Sequence, residues 1–171
     1  SHVVPRHTWT SGRTYAEWDS NDPDIFDKAF YTITSEFKVY KCIKAGASGS
    51  TQEPTQTLTV PTAESDGYTW KYMYTISVAD AEKFLTTSYM PVKTVSLAYA
   101  NDAAAESALS EADYAQYLNQ KASRDHANAG GIERIEVIGG GTGYTSNPDV
   151  FINGSGVNAA ATAVRSGQAV S

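Results

Sequence analysis

Three observations predict a mainly β chain with short helical insertions. The first is "DGYTWKYMYT", Asp66 to Thr75, where Tyr68, Trp70, Tyr72 and Tyr74 recur at every second position and Ile76 extends the row. Successive strand side chains point to opposite faces, so this spacing lines one face with the row and the other with Thr69, Lys71, Met73 and Thr75. The second is composition: eleven Tyr, five Phe and three Trp accompany many Thr, Ser and Gly, a bias toward strands and turns. The third is punctuation by Gly, Pro and Asp-Gly, which breaks the chain into short segments.

The first stretch, "VVPRHTWTSGRTYAEWDSNDPD", reads as loop with one short strand around Thr14–Trp18. Strands follow at about 29–34 and 36–44; the second has apolar groups on both faces (Val39 and Ile43; Tyr40 and Cys42), as expected for a strand covered on both sides. "AGASGSTQEPTQ" is a polar loop, "TLTV" before Pro61 a short strand, and Asp66-Gly67 the turn that opens the aromatic strand. Ser77 with Asp80 forms a capping-box pattern, and Val78, Ala81, Phe84 and Leu85 share one helical face. "MPVKTVSLAY" returns to strand, with Pro91 near its start.

The character changes at Asn101. "NDAAAESALSEADYAQYLNQKASRD" reads as two helices or one broken helix, with Asp102 as the N-cap and a second start at Ser110. Leu109, Tyr114, Tyr117 and Leu118 are its large apolar groups, so it should pack by one narrow stripe. From Gly130 short strands at about 132–138, 149–153 and 158–165 alternate with glycine turns. The domain reading is a β domain over 1–100, a helical linker or insertion over 101–130, and a Gly-rich β repeat module over 131–171. "SGQAVS" at the end resembles the approach to "AGGIERIEV", as if a second copy were beginning.

Charge and motifs exclude several functions. Thirteen Lys+Arg against nineteen Asp+Glu give a net charge of -6, which argues against nucleic acid or an anionic membrane as partner. No segment approaches the ~20 apolar residues that span a bilayer. "GGGTGY" at 139–144 has Tyr144 where a phosphate loop needs Lys, and a turn and strand follow where a dinucleotide fold needs a helix. "DSNDPD" clusters Asp19, Asn21, Asp22 and Asp24, but the sixth and twelfth positions of an EF-hand-like loop hold Asp24 and Phe30 instead of Gly and Glu. Ordinary Asx turns are the favoured reading of the cluster, and the sequence leaves a cation at Asp19–Asp24 open.

His2, His7 and His126 lie far apart, Cys42 sits mid-strand as a small hydrophobe, and no G-x-S-x-G elbow occurs. No catalytic, cofactor-binding or metal-ligating residue is singled out, and no enzymatic activity is expected. The aromatic row remains, either as the buried face of a sheet or as a flat platform for a glycan or receptor. Burial is favoured, since a Trp and three Tyr left in water would form an exposed patch of roughly several hundred Å².

"HVVPRHTWTSGRTYAEWD" (2–19), "EFKVYKCIKA" (36–45), "DGYTWKYMYTIS" (66–77) and "EKFLTTSYMPV" (82–92) occur in this order. The most specific pieces are V-P-R-x-x-W (Val4, Pro5, Arg6, Trp9), V-Y-K-C (Val39 to Cys42) and Asp66-Gly67-Tyr68-x-Trp70-x-Tyr72. Over roughly residues 2–97 the chain resembles the baseplate wedge protein of contractile-tailed bacteriophages. "GGGTGYTSNPDVFING" resembles a glycine-rich repeat common in phage structural proteins.

The resemblance implies sandwich-type antiparallel sheets and a virion structural role in the tail baseplate, assembled in the host cytoplasm. It implies other wedge proteins as partners, a homodimer in the full-length form, and no enzymatic activity. Family members carry a region ahead of the V-P-R-x-x-W segment. Together with the ending on a repeat, this makes the chain read as a fragment. The competing expectation is a receptor- or glycan-binding tail module that uses the aromatic strand face.

Overall fold

Residues 2–127, 131, 132, 135 and 137–170 are described by a computed structural model. They fall into two units, Ser1–Asp125 and His126–Ser171. Antiparallel sheets and three short helices claim about 20% of the chain each, so the fold is sheet-rich but mixed.

The first unit is built on a four-stranded antiparallel sheet. Its strands are β2 (Tyr31–Ile33), β3 (Lys38–Lys44), β4 (Thr62–Ala63) and β5 (Thr69–Thr75), in the order β2-β3-β5-β4. A separate ribbon pairs β1 (Val3–Pro5) with β6 (Tyr89–Pro91). The helices are α1 (Val78–Phe84), α2 (Asp102–Ala108) and α3 (Glu111–Asp125). In the second unit, β7 (Arg165–Ser166) and β8 (Ala169–Val170) form a hairpin.

The aromatic row is buried, but it does not lie on one face. Tyr72 pairs with Tyr40 and Tyr74 with Val39, leaving Met73 without a partner. Val39 and Tyr40 are consecutive in β3 and point to opposite faces, so this bulge sends Tyr74 to the face opposite Tyr72. Two cores result. Tyr68, Trp70 and Tyr72 pack with Tyr15, Tyr40 and Cys42 on one side. Tyr74 and Ile76 pack with Ile33, Val39 and Met90 on the other, where Val4 of β1 and Ala81 of α1 join them. The expectation of a single five-residue face fails because strict alternation assumes an unbroken ladder.

Caps follow the sequence closely at α1, where Ser77 Oγ accepts the Asp80 N–H at 3.1 Å. At α2 the cap is Asn101, not Asp102: its Oδ1 accepts the Ala104 N–H at 2.9 Å. This frees the Asp102 carboxylate to accept the Tyr117 hydroxyl at 2.9 Å. Ser110 Oγ accepts the Asp113 N–H at 3.2 Å at the start of α3, so the helical stretch is two helices.

Several expected strands are not strands, for a common reason. The "TLTV" segment forms none; β4 comes after it. The carbonyls of Thr55, Gln56 and Thr57 are taken by Lys38 Nζ, the Tyr40 hydroxyl and Asn119 Nδ2. Beyond β6, the expected continuation through "KTVSLAY" is likewise irregular. Gln116 Nε2 donates to the Lys93 carbonyl at 2.8 Å, and the Gln120 amide bonds both the N–H and the carbonyl of Val95. Around Thr14–Trp18 the backbone touches a different partner at each step: Ala16 N–H to Ala29, Trp18 N–H to Cys42 and Tyr15 N–H to the Tyr68 hydroxyl. Buried backbone groups need partners, and here side chains and scattered backbone carbonyls supply them in place of a ladder.

The helical stretch also packs differently from the narrow apolar stripe expected. Gln116, Tyr117 and Asn119 are buried, and α3 is stitched to the first unit through amides. Asn119 Oδ1 accepts from Lys71 Nζ at 2.6 Å, and Lys93 pairs with Asp113 at 2.5 Å. Both helices therefore belong to the first unit, and the division of the chain falls after Asp125.

In the second unit, strands were expected at 149–153 and 158–165. Of these residues only Arg165, the first residue of β7, is in a ladder. The expected strand at 132–138 includes residues 133, 134 and 136, which lie outside the described residues. The "GGGTGY" turn wraps the hairpin: Val170 N–H donates to the Gly140 carbonyl at 2.8 Å and Tyr144 N–H to that of Gln168 at 3.2 Å.

Candidate interaction surface

Three segments of the first unit meet around the Asp66 carboxylate. Trp9 Nε1 donates to Ser50 Oγ at 3.2 Å, and Ser50 Oγ donates to Asp66 Oδ2 at 3.0 Å. The same carboxylate accepts the N–H groups of Thr51, Gln52 and Tyr68 at 2.7, 3.0 and 3.1 Å. Burial alone would raise the Asp66 pKa, but these four bonds outweigh it and hold the pKa below its ordinary value. Gly67 adopts φ 87, which completes the turn. At Gly49 a Cβ would lie 2.0 Å from the Gly12 carbonyl oxygen, so only glycine lets the two segments meet.

Trp70 and Tyr72 are each 2% exposed, and Tyr68 not at all. The row is core, and a ligand platform on it is ruled out by burial. Cys42, also buried, pairs with Trp70 across the strands. Burial, with the Glu17 carboxylate adding to it, pushes its thiol up to about 12 from an ordinary 9.0. Reaction needs the thiolate. At pH 8 the native thiol is therefore expected to react with iodoacetamide roughly a thousandfold more slowly than in urea. Equal rates in the two states would show that the first core is open.

The "DSNDPD" loop is organised by Asx turns: Asp19 Oδ1 accepts the Asn21 N–H at 2.8 Å and Asp22 Oδ1 the Asp24 N–H at 3.0 Å. Asp22 also pairs with Lys28 at 2.5 Å. Among the described residues no group of three or more His, Cys, Asp or Glu is placed to hold a metal. His7 meets Tyr31 at 4.9 Å with the rings tilted by 60° and faces Arg13; burial and then the guanidinium lower its pKa. His2 and His126 are exposed.

The feature that sequence reasoning missed is an open aromatic cluster beside this loop. Buried Ile25 anchors a single 3-10 turn over Ile25–Asp27, and the turn throws Phe26 outward to 78% exposure. Phe26 meets Trp18 at 6.2 Å and Phe30 at 6.1 Å, and Trp18 meets Phe30 at 4.9 Å. Tyr31 extends the cluster from Phe30 at 4.9 Å, and Lys41 Nζ lies 5.0 Å from the Trp18 ring centroid. The rings meet edge-on or tilted, at 52° to 78°, which makes a protruding knob and not a flat shelf. Asp19, Asp24 and Asp27 flank it in sequence. The available signal was an Ile-Phe pair inside an Asp-rich loop, where an apolar residue needs a reason.

Compared with protein-family models, curated proteins and solved structures, the chain matches none.

Proposed function

We propose that this chain is a structural subunit of a contractile-tail baseplate, of the wedge type, acting by protein–protein assembly without catalysis. The observation that supports it most is where the resembling motifs go. Trp9, Asp66, Gly67, Tyr68 and Trp70 are all spent on one core and its capping knot, which is what a scaffold asks of its fixed residues. In this reading the β1–β6 ribbon, which packs Val4 and Met90 against Tyr74 and Ile76, is the second layer of a small sandwich. The Gly-rich second unit is then a structural repeat. Other wedge proteins are the partners, and the virion tail is the location.

The Trp18–Phe26–Phe30 knob is a docking point for such a neighbour. Aromatic anchors dominate binding energy at interfaces, and an exposed Phe supports little of its own fold. Phe26→Ala is expected to change stability by no more than about 0.5 kcal/mol while weakening incorporation into tail particles roughly thirtyfold, the cost of a ~2 kcal/mol hot spot. Mass spectrometry of purified contractile-tail particles from the source, with antibody labelling under the electron microscope, tests the reading itself. The chain should sit at the distal end of the tail. Its absence from particles would reject the baseplate role.

A further inference from the structure

The aromatic knob of the first unit is surrounded by charge of one sign. Residues 17–30 hold five acids (Glu17, Asp19, Asp22, Asp24 and Asp27) and one base, Lys28. Asp19 follows Trp18 in the chain, Asp27 follows Phe26, and Asp24 stands at the head of the turn that throws Phe26 outward. All three are exposed, and the Asp24 side chain caps no N–H of that turn. Lys28 is already committed. It pairs with Asp22 at 2.5 Å, and its pKa is raised first by that bond, with the charges of Asp24 and Asp19 adding. One ammonium therefore stands among three carboxylates. The other cation at the knob, Lys41, lies 5.0 Å from the Trp18 ring centroid. The rim stays acidic.

That arrangement selects a partner. Protruding rings enter an apolar recess, while charged groups at the rim decide which recess is accepted. Carboxylates there attract a recess bordered by Lys or Arg and repel an acidic one. A second copy docked knob to knob would set these acids against their own duplicates, and an anionic lipid surface would meet the same repulsion. We infer that the Trp18–Phe26–Phe30 knob enters an apolar recess of a different protein, rimmed by lysine or arginine that faces Asp19, Asp24 and Asp27. This partner chemistry rests on the docking role given to the knob above and not on the baseplate setting. The two fail separately: particle localisation tests one, the charge of the contact the other.

The test replaces Phe26 by photoreactive p-benzoylphenylalanine in the full chain, made in its own cells, and maps the joined peptide by mass spectrometry. That peptide should belong to another protein and lie beside Lys or Arg. Binding of the purified partner to the full chain should weaken roughly fivefold or more between low and high salt, because exposed rim charges are screened. Asp24→Asn with Asp27→Asn should weaken it by roughly as much at low salt and flatten the salt dependence. The near-ultraviolet signal of the first unit, which holds all three tryptophans, should not move. Crosslinks confined to a second copy, to lipid or to an acidic segment would overturn the inference. So would binding indifferent both to salt and to the paired substitution. No crosslink at all would remove the knob's docking role, and the partner chemistry with it.

Discussion

Trp70→Ala is expected to destabilise the first unit by about 3–5 kcal/mol, the usual cost of emptying a large aromatic site. The ring stacks on Tyr68 at 5.6 Å and meets Tyr15 edge-on at 5.2 Å. Its loss would leave a cavity between two strands held at fixed register. Its indole N–H is buried and has no acceptor among the described residues, an arrangement that costs stability. Trp70→Phe, which keeps most of the ring and removes that donor, should therefore cost far less, about 1 kcal/mol or under. Urea unfolding followed by near-ultraviolet dichroism measures both. A Trp70→Ala chain as stable as wild type would overturn the assignment of the row to the core.

Asp66→Asn should cost about 2–3 kcal/mol at neutral pH, because an amide cannot accept the set of bonds that the carboxylate gathers and Ser50 behind it is fully buried. The pH dependence carries a definite sign. The folded-state pKa lies below the ordinary 3.8. The carboxylate therefore contributes stability that is fully present above that value and is lost as pH falls through the lower folded value. Glu64 runs the other way: burial, and then the Asp66 charge, raise its pKa above 4.5, so it favours the fold when protonated. The Asp66 contribution is accordingly read as the difference between wild type and Asp66→Asn. That difference should be constant from pH 7 to about 5 and shrink below pH 4. A gap that stays constant down to pH 2 would show that the bonds to Asp66 do not govern the turn.

The sequence by itself determined what depends on neighbours along the chain. Alternation from Tyr68 to Ile76 placed β5 and its burial. Ser77 with Asp80 placed α1, and Asp66-Gly67 placed the turn. Each of these is local: a dihedral preference, a cap or a period, readable within about ten residues.

Tertiary structure decided which partner each backbone group finds. Met73 is bulged out of the β3–β5 ladder, and only that pairing reveals that the row divides between two faces. Segments 57–60 and 92–99 have strand-like composition, yet Asn119 and Lys71 take carbonyls of the first, and Gln116 and Gln120 take carbonyls of the second. The Trp18–Phe26–Phe30 knob assembles from residues that are unremarkable one at a time. A residue's propensity is a property of its own bonds, whereas hydrogen-bond satisfaction and ring contact are decided by competition among groups far apart in the chain. That competition is settled only when the whole unit is packed.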